Sequence, residues 1–205
     1  RCCTKSIFKL TQRVKLKGKK VFLRADLNVP LDKTGQITDT TRIDKVLPTI
    51  NYLLENEAKV TLCSHLGRPK GKVVDLLSLK PVESYLKKVV NSSIIMANDC
   101  IGNNVKQLID QQNNSSIVLL ENIRFHKGEE KNDNEFIISL YNSTKPDIYV
   151  NDAFGCSHRV HASTYGIANM IKHCVAGQLL EKEIKFLSTI THTPVKPMIA
   201  VIGGS

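Results

Sequence analysis

The sequence predicts an α/β protein built on a Rossmann-like parallel sheet with helices on both faces, a three-layer αβα arrangement. Short aliphatic runs alternate with segments of helical periodicity, the order expected of βαβ units. The runs are continuous rather than alternating, as in strands buried on both faces. Aromatic residues make up only 5% of the chain and Trp is absent, so aliphatic side chains must fill the core.

The first run, Val21-Phe22-Leu23, ends in the polar stretch Asp26-Leu27-Asn28. A helix is predicted over residues 41–56, with Ile43, Val46, Leu47, Ile50, Leu53 and Leu54 on one face. Val60 to Cys63 form the second strand, followed by SHLGRPKG. Ser78 is placed to cap a helix bearing Leu79, Val82, Leu86, Val89 and Val90. Ile94-Ile95-Met96 is the third strand, and a short helix over residues 102–110 precedes the fourth strand, residues 117–120. That strand runs into ENIRFH. Phe136, Ile137, Leu140 and Tyr141 mark a further helix, residues 148–150 a fifth strand, residues 179–190 a longer helix and residues 198–202 a last strand. The prolines at 194 and 197 make residues 191–197 the best domain boundary.

A net charge of +10 points to anionic partners. Much of it lies in residues 1–25, which read first as a solvated basic face. Those residues carry only two aromatics, Phe8 and Phe22, and no nucleic-acid motif, so nucleic acid is not the expected partner. The six cysteines form no CxxC pair, and a chain of 205 residues can bury a core without disulfides, so reduced thiols in a cytoplasmic protein are expected. No apolar run reaches membrane-spanning length. The chain opens on Arg1 rather than Met, which leaves room for a trimmed leader.

Position is the informative feature. Parallel sheets bind ligands beyond the carboxyl ends of their strands. Those ends carry Asp26 and Asn28, then His65 and Arg68, then Asp99, then Glu121 and Arg124, then Asn151, Asp152, His158, Arg159 and His161. Arg68, Arg124 and Arg159 offer forked donors to carboxylate or phosphate oxygens. The histidines add donors, and Gly67, Gly71 and Gly155 allow close backbone approach. A small polyanion bearing phosphate and carboxylate fits this set. Taken singly, each residue also has a plainer reading, such as a surface salt bridge or, for Asp26, a partner that orients Arg24 or Arg42. His158 and His161 flank Arg159, which disfavours a cation, and no metal ligands are expected. Neither GxxxxGK[ST] nor GxGxxG occurs, so a nucleotide would have to sit elsewhere.

FLRADLNVP, TTRID, SHLGRPKG, LLENIRFHKGEE, VNDAFGCSHRVHAS and AVIGGS, in that order, resemble the signature blocks of the phosphoglycerate kinase family. The resemblance covers nearly the whole chain from about Ser6. It implies phosphoryl transfer between 1,3-bisphosphoglycerate and ADP, giving 3-phosphoglycerate and ATP with Mg2+. It also implies a monomer whose residues 1–176 are the N-terminal acid-binding domain and whose residues 177–192 are the interdomain connector. Residues 193–205 would be the first strand of a nucleotide-binding domain, the rest of that second domain being missing. Carried over by motif, Asp26, Asn28, Arg42, His65, Arg68, Arg124 and Arg159 bind the acid, and Arg42 is the catalytic cation. Arg24, His158 and His161 are neighbours in the basic patch, and Gly203, Gly204 and Ser205 edge the nucleotide site. A non-catalytic polyanion-binding module and a nucleic-acid-binding domain remain as alternative readings.

Overall fold

The computed structural model describes residues 5–192. The expected strand over residues 198–202, residues 193–197 of the expected boundary, and Gly203, Gly204 and Ser205 lie outside the described residues.

Six strands, β1 (Lys20–Ala25), β2 (Lys59–Cys63), β3 (Ser93–Met96), β4 (Ser116–Leu119), β5 (Ile148–Asp152) and β6 (His173–Ala176), form one sheet in the order β3-β4-β2-β1-β5-β6. Every pairing is parallel. All six carboxyl ends therefore open on one edge, and β1 sits between β2 and β5, where the chain leaves in opposite directions.

Helices cover both faces, as the sequence predicts. They are α1 (Ile7–Thr11), α2 (Thr41–Glu55), α3 (Lys80–Val89), α4 (Asn103–Asp110), α5 (Lys127–Lys131), α6 (Asn134–Thr144) and α7 (Gln178–His192). The two-residue period of a strand divides β1 between two cores. Val21, Leu23 and Ala25 pack with Ile43, Val46, Ile50 and Leu53 of α2 and with Val82 and Leu86 of α3. Phe22 packs on the opposite face with Val105 and Ile109 of α4 and with Phe136, Ile137 and Leu140 of α6. By the same alternation Arg24 lands on the Phe22 face, inside the protein.

Three elements, α1, α5 and β6, were not legible. β6 is a short edge strand of four residues, with His173 and Cys174 only half-buried, so it shows neither a full apolar run nor alternation. Its partner on the outer side is the start of the chain, where Ala176 N donates to Lys5 O at 2.8 Å and α1 follows. Ser78 does reach the helix start, its Oγ accepting from Lys80 N at 3.3 Å, but the bounds of the helix need correction. The helix begins at Lys80 after Leu79, and Val90 lies beyond its end. The carboxylate of Glu121 secures its start, accepting from Ser78 Oγ at 2.7 Å and from Leu79 N at 2.9 Å. No helix among the described residues is long and apolar enough to cross a membrane.

Candidate anion-binding site

Arg24 is fully buried, and a buried charge requires partners. Its Nε donates to Ser163 Oγ at 2.7 Å, and Nη1 donates to Ala25 O. Nη2 lies 3.1 Å from His65 Nδ1. Ser163 passes the charge on, since its Oγ donates to Glu129 Oε1 at 2.6 Å and its N donates to Glu129 Oε2 at 2.9 Å. Burial works against the Arg24 charge, yet neighbouring acidic groups, Cys63 and Glu129 foremost, more than offset it and raise its pKa.

The outcome is a fixed imidazole. A guanidinium has no acceptor, so His65 Nδ1 must accept and the ring proton sits on Nε2. Burial, followed by the charges of Arg24, Arg124, Arg159 and Arg42, pushes the His65 pKa down to about 2. The ring is neutral at every working pH. These arginines come from β1, from α2 and from the loops after β4 and β5, and they converge on one imidazole.

Asp26 and Asn28 frame the other side. Arg42 Nη1 donates to Asp26 Oδ2 at 2.6 Å, with half of the Arg42 side chain in solvent. Asn28 Oδ1 accepts from Gly67 N at 2.8 Å, and its Nδ2 group meets no acceptor among the described residues. Gly67 holds φ +62°, and a Cβ there would meet Leu77 Cδ2 at 2.7 Å, so the turn after β2 requires glycine. A side chain at Gly155 would come within 3.3 Å of Asp26 Oδ2, so this glycine keeps the carboxylate approachable. Arg124 is buried and donates from Nη1 to Gly67 O at 2.9 Å, while Glu130 stands 3.7 Å from its Nε. His161 is half-buried 4.0 Å from Glu129; burial first, then Arg124, lowers its pKa.

Sequence reasoning placed other residues here that the fold uses elsewhere. Glu121 caps α3. Asp99 Oδ1 lies 2.6 Å from His126 Nε2. Asn151 binds its own loop through Ser157 Oγ and Ala153 N. Asp152 is buried beneath α7, where its Oδ1 accepts from Leu180 N at 3.0 Å. His158 is exposed and lines a cavity of about 620 Å³ that runs from Gly155 and Arg159 toward Tyr165, Leu180 and Ile184 at α7. Arg68 is exposed beside Gly67, and no hydrogen bond or ion pair among the described residues ties it to the cluster. Conversely, Glu129 and Ser163 hold the site together without having been singled out. Their only sequence signal was their place inside the HKGEE and HRVHAS blocks.

The family model of phosphoglycerate kinase matches residues 11–205. This chain belongs to the phosphoglycerate kinase family. It is 50% identical over 201 residues to a phosphoglycerate kinase of Picosynechococcus sp., covering 98% of this chain and 50% of that one. It is 52% identical over 190 residues to a cytosolic phosphoglycerate kinase of Triticum aestivum, covering 93% and 47%. Among solved structures, phosphoglycerate kinase from Pyrococcus horikoshii superposes with TM-score 0.81 at 30% identity, covering 95% of this chain and 47% of that one. That from Coxiella burnetii gives 0.77 at 38%, covering 91% and 45%. The chain thus spans about half the length of the phosphoglycerate kinases it matches.

Proposed function

We propose that this chain carries the acid-substrate half of a phosphoglycerate kinase. That enzyme moves a phosphoryl group reversibly between 1,3-bisphosphoglycerate and ADP, giving 3-phosphoglycerate and ATP. The observation that carries the reading is one neutral imidazole, touched by Arg24 and lying in the field of Arg42, Arg124 and Arg159, with Arg42 on Asp26 and Arg124 on Gly67 O beside it. This is a pocket with a surplus of donors and cations and few acceptors, suited to a small molecule bearing a phosphate and a carboxylate.

In this reading Arg124 and Arg159 neutralise the acid's phosphate, with Arg68 swinging in from solvent. His65 Nε2–H and Asn28 Nδ2 supply neutral donors, and Asp26 accepts from the substrate hydroxyl. Toward 1,3-bisphosphoglycerate the nucleophile is a carboxylate, already ionised, so no general base is required. Its oxygen bonds to the γ-phosphorus as the bond to the ADP oxygen breaks. What the protein must supply is alignment and charge cancellation. Arg42, held by Asp26 through one N–H, keeps its remaining donors for the moving phosphoryl.

Mg2+ accompanies ATP and ADP in this chemistry. The pocket does not fit that ion: Asp26 is engaged by Arg42, and the exposed Glu130 stands beside Arg124, amid further cations, so no step is routed through a metal here. Gly203, Gly204 and Ser205 are assigned to the nucleotide edge by their motif. Residues 1–176 serve as the acid domain, 177–192 as connector and 193–205 as the start of the nucleotide domain, in a cytoplasmic monomer.

Calorimetry of the 205-residue chain with 3-phosphoglycerate tests the reading. Saturable binding, competed by inorganic phosphate and without measurable ATP formation from 1,3-bisphosphoglycerate and ADP, is expected. Absence of binding, or robust turnover by this chain alone, overturns it.

A further inference from the structure

Among the described residues, two clusters of His, Cys and Asp bring their ligand atoms within 4.8 Å of one another. One, Asp26, His65 and Cys156, lies in the arginine pocket, where a cation is repelled. The other, Asp99, Cys100 and His126, bridges the loop after β3 and the loop after β4, and its electrostatics are opposite. Burial raises the pKa of the Cys100 thiol, and the carboxylates of Asp99, Glu121 and Glu129 near it add to that, a field that favours a cation. We propose that Asp99, Cys100 and His126 form a binding site for a thiophilic divalent cation of the zinc class.

The donor set is one sulfur, one imidazole nitrogen and one carboxylate oxygen, which favours zinc over magnesium or calcium. His126 Nε2 and Asp99 Oδ1 are 2.6 Å apart, and Asp99 Oδ1 also accepts from Cys100 N at 2.6 Å. Stacking on Phe136, with ring centroids 4.8 Å apart, holds the imidazole plane. The Asp99 and His126 side chains are 48% and 24% exposed, so an ion reaches the buried thiol from their side.

Tetrahedral zinc separates its ligand atoms by about 3.3–3.8 Å, so the thiol moves inward by an ångström or less while the imidazole and carboxylate part slightly. The thiol, which donates to Glu121 O at 2.8 Å, loses its proton to solvent on binding. His126 shifts its proton from Nε2 to Nδ1 to free the ligating nitrogen. Water fills the fourth position. The bound ion would clasp the loop that carries Arg124 to the end of β3.

Cobalt(II) titration of the reduced 205-residue chain tests this. One equivalent is expected to produce thiolate-to-cobalt charge-transfer absorption with tetrahedral visible bands. Zinc chloride should displace the cobalt, and excess magnesium should leave it bound. Cys100→Ser and His126→Gln should each abolish the bands or weaken binding by more than the roughly 10–100-fold that loss of an outer partner costs. Replacing both Cys2 and Cys3 by Ser should leave them. Bands that survive Cys100→Ser, or that vanish with Cys2 and Cys3, overturn the site. If Cys100→Ser loses its folded circular dichroism, the half-exposed His126→Gln variant decides alone.

Discussion

Arg24 Nη2 stands 3.1 Å from His65 Nδ1, and both side chains are buried. Because the guanidinium can only donate, the pairing fixes the imidazole as a neutral ring with its N–H on the opposite nitrogen. The charge on Arg24 is balanced in turn through Ser163 by Glu129. A buried relay thus sets the protonation of a residue in the floor of the pocket.

Burial and the surrounding arginines hold His65 at about 2, against an ordinary 6.5. Between those values the unfolded chain binds the extra proton. Stability is full above pH 6.5 and falls as the pH drops, by up to about 1.4 kcal/mol per unit from this group. His65→Gln is expected to flatten that acid limb in urea titrations. An NMR titration of the folded protein with the His65 ring protonating near pH 6.5 would contradict the assignment.

Arg42 is the candidate transition-state cation. In a chain carrying both halves of the kinase, Arg42→Ala is expected to lower kcat by about two to three powers of ten, with a smaller change in KM. A coupled assay showing less than a threefold change removes it from that role.

Arg68 is exposed and Arg159 is half-buried at the rim. Substituting either by Ala should weaken 3-phosphoglycerate binding by about 1.5–3 kcal/mol per charge-assisted hydrogen bond to the ligand. Calorimetry checks both. Unchanged affinity in Arg68→Ala would leave that side chain outside the site.

Glu129→Ala strands the buried Arg24 charge and should cost about 3–5 kcal/mol in chemical unfolding. Combining it with Arg24→Met removes both charges and is expected to recover much of the loss. Additive destabilisation in the double variant would show that the two residues do not act as a pair.

Asp152 behaves oppositely to His65. Burial raises its carboxyl from 3.8 to about 6. The folded state holds this proton more tightly, so the associated stability is present at low pH and lost as pH rises through about 6. The stability gap between the wild type and Asp152→Asn should move in favour of Asn by roughly 2–3 kcal/mol from pH 4 to pH 7.5. A gap independent of pH would show the carboxyl to be ionised throughout.

The aliphatic runs at Val21, Val60, Ile94, Ile117 and Ile148 and the helical periodicity between them disclosed the parallel sheet and its two covers. Strand burial imposes a local pattern that survives in one dimension. The six ordered motif blocks disclosed the family, and the rule that ligands gather beyond strand ends disclosed which edge holds the site. The structure overrode that rule at four residues. Glu121, Asp99, Asn151 and Asp152 occupy the same edge, yet each is consumed by a cap, a loop bond or a helix start. Sequence shows where a polar side chain emerges but not whether a backbone N–H reaches it first. β6 escaped notice because an edge strand of four residues, half-buried, carries too little pattern.

The order of residues by itself determined the α/β layering, the family and the set of arginines, because periodicity and motif spacing are properties of the chain. Only the tertiary structure decided that Arg24 lies in the interior, that Glu129 and Ser163 balance it, and that His65 is neutral while Arg42 rests on Asp26. Those facts depend on side chains from 16 to 139 positions apart coming within hydrogen-bond distance. There, each partner's charge fixes the protonation of the next.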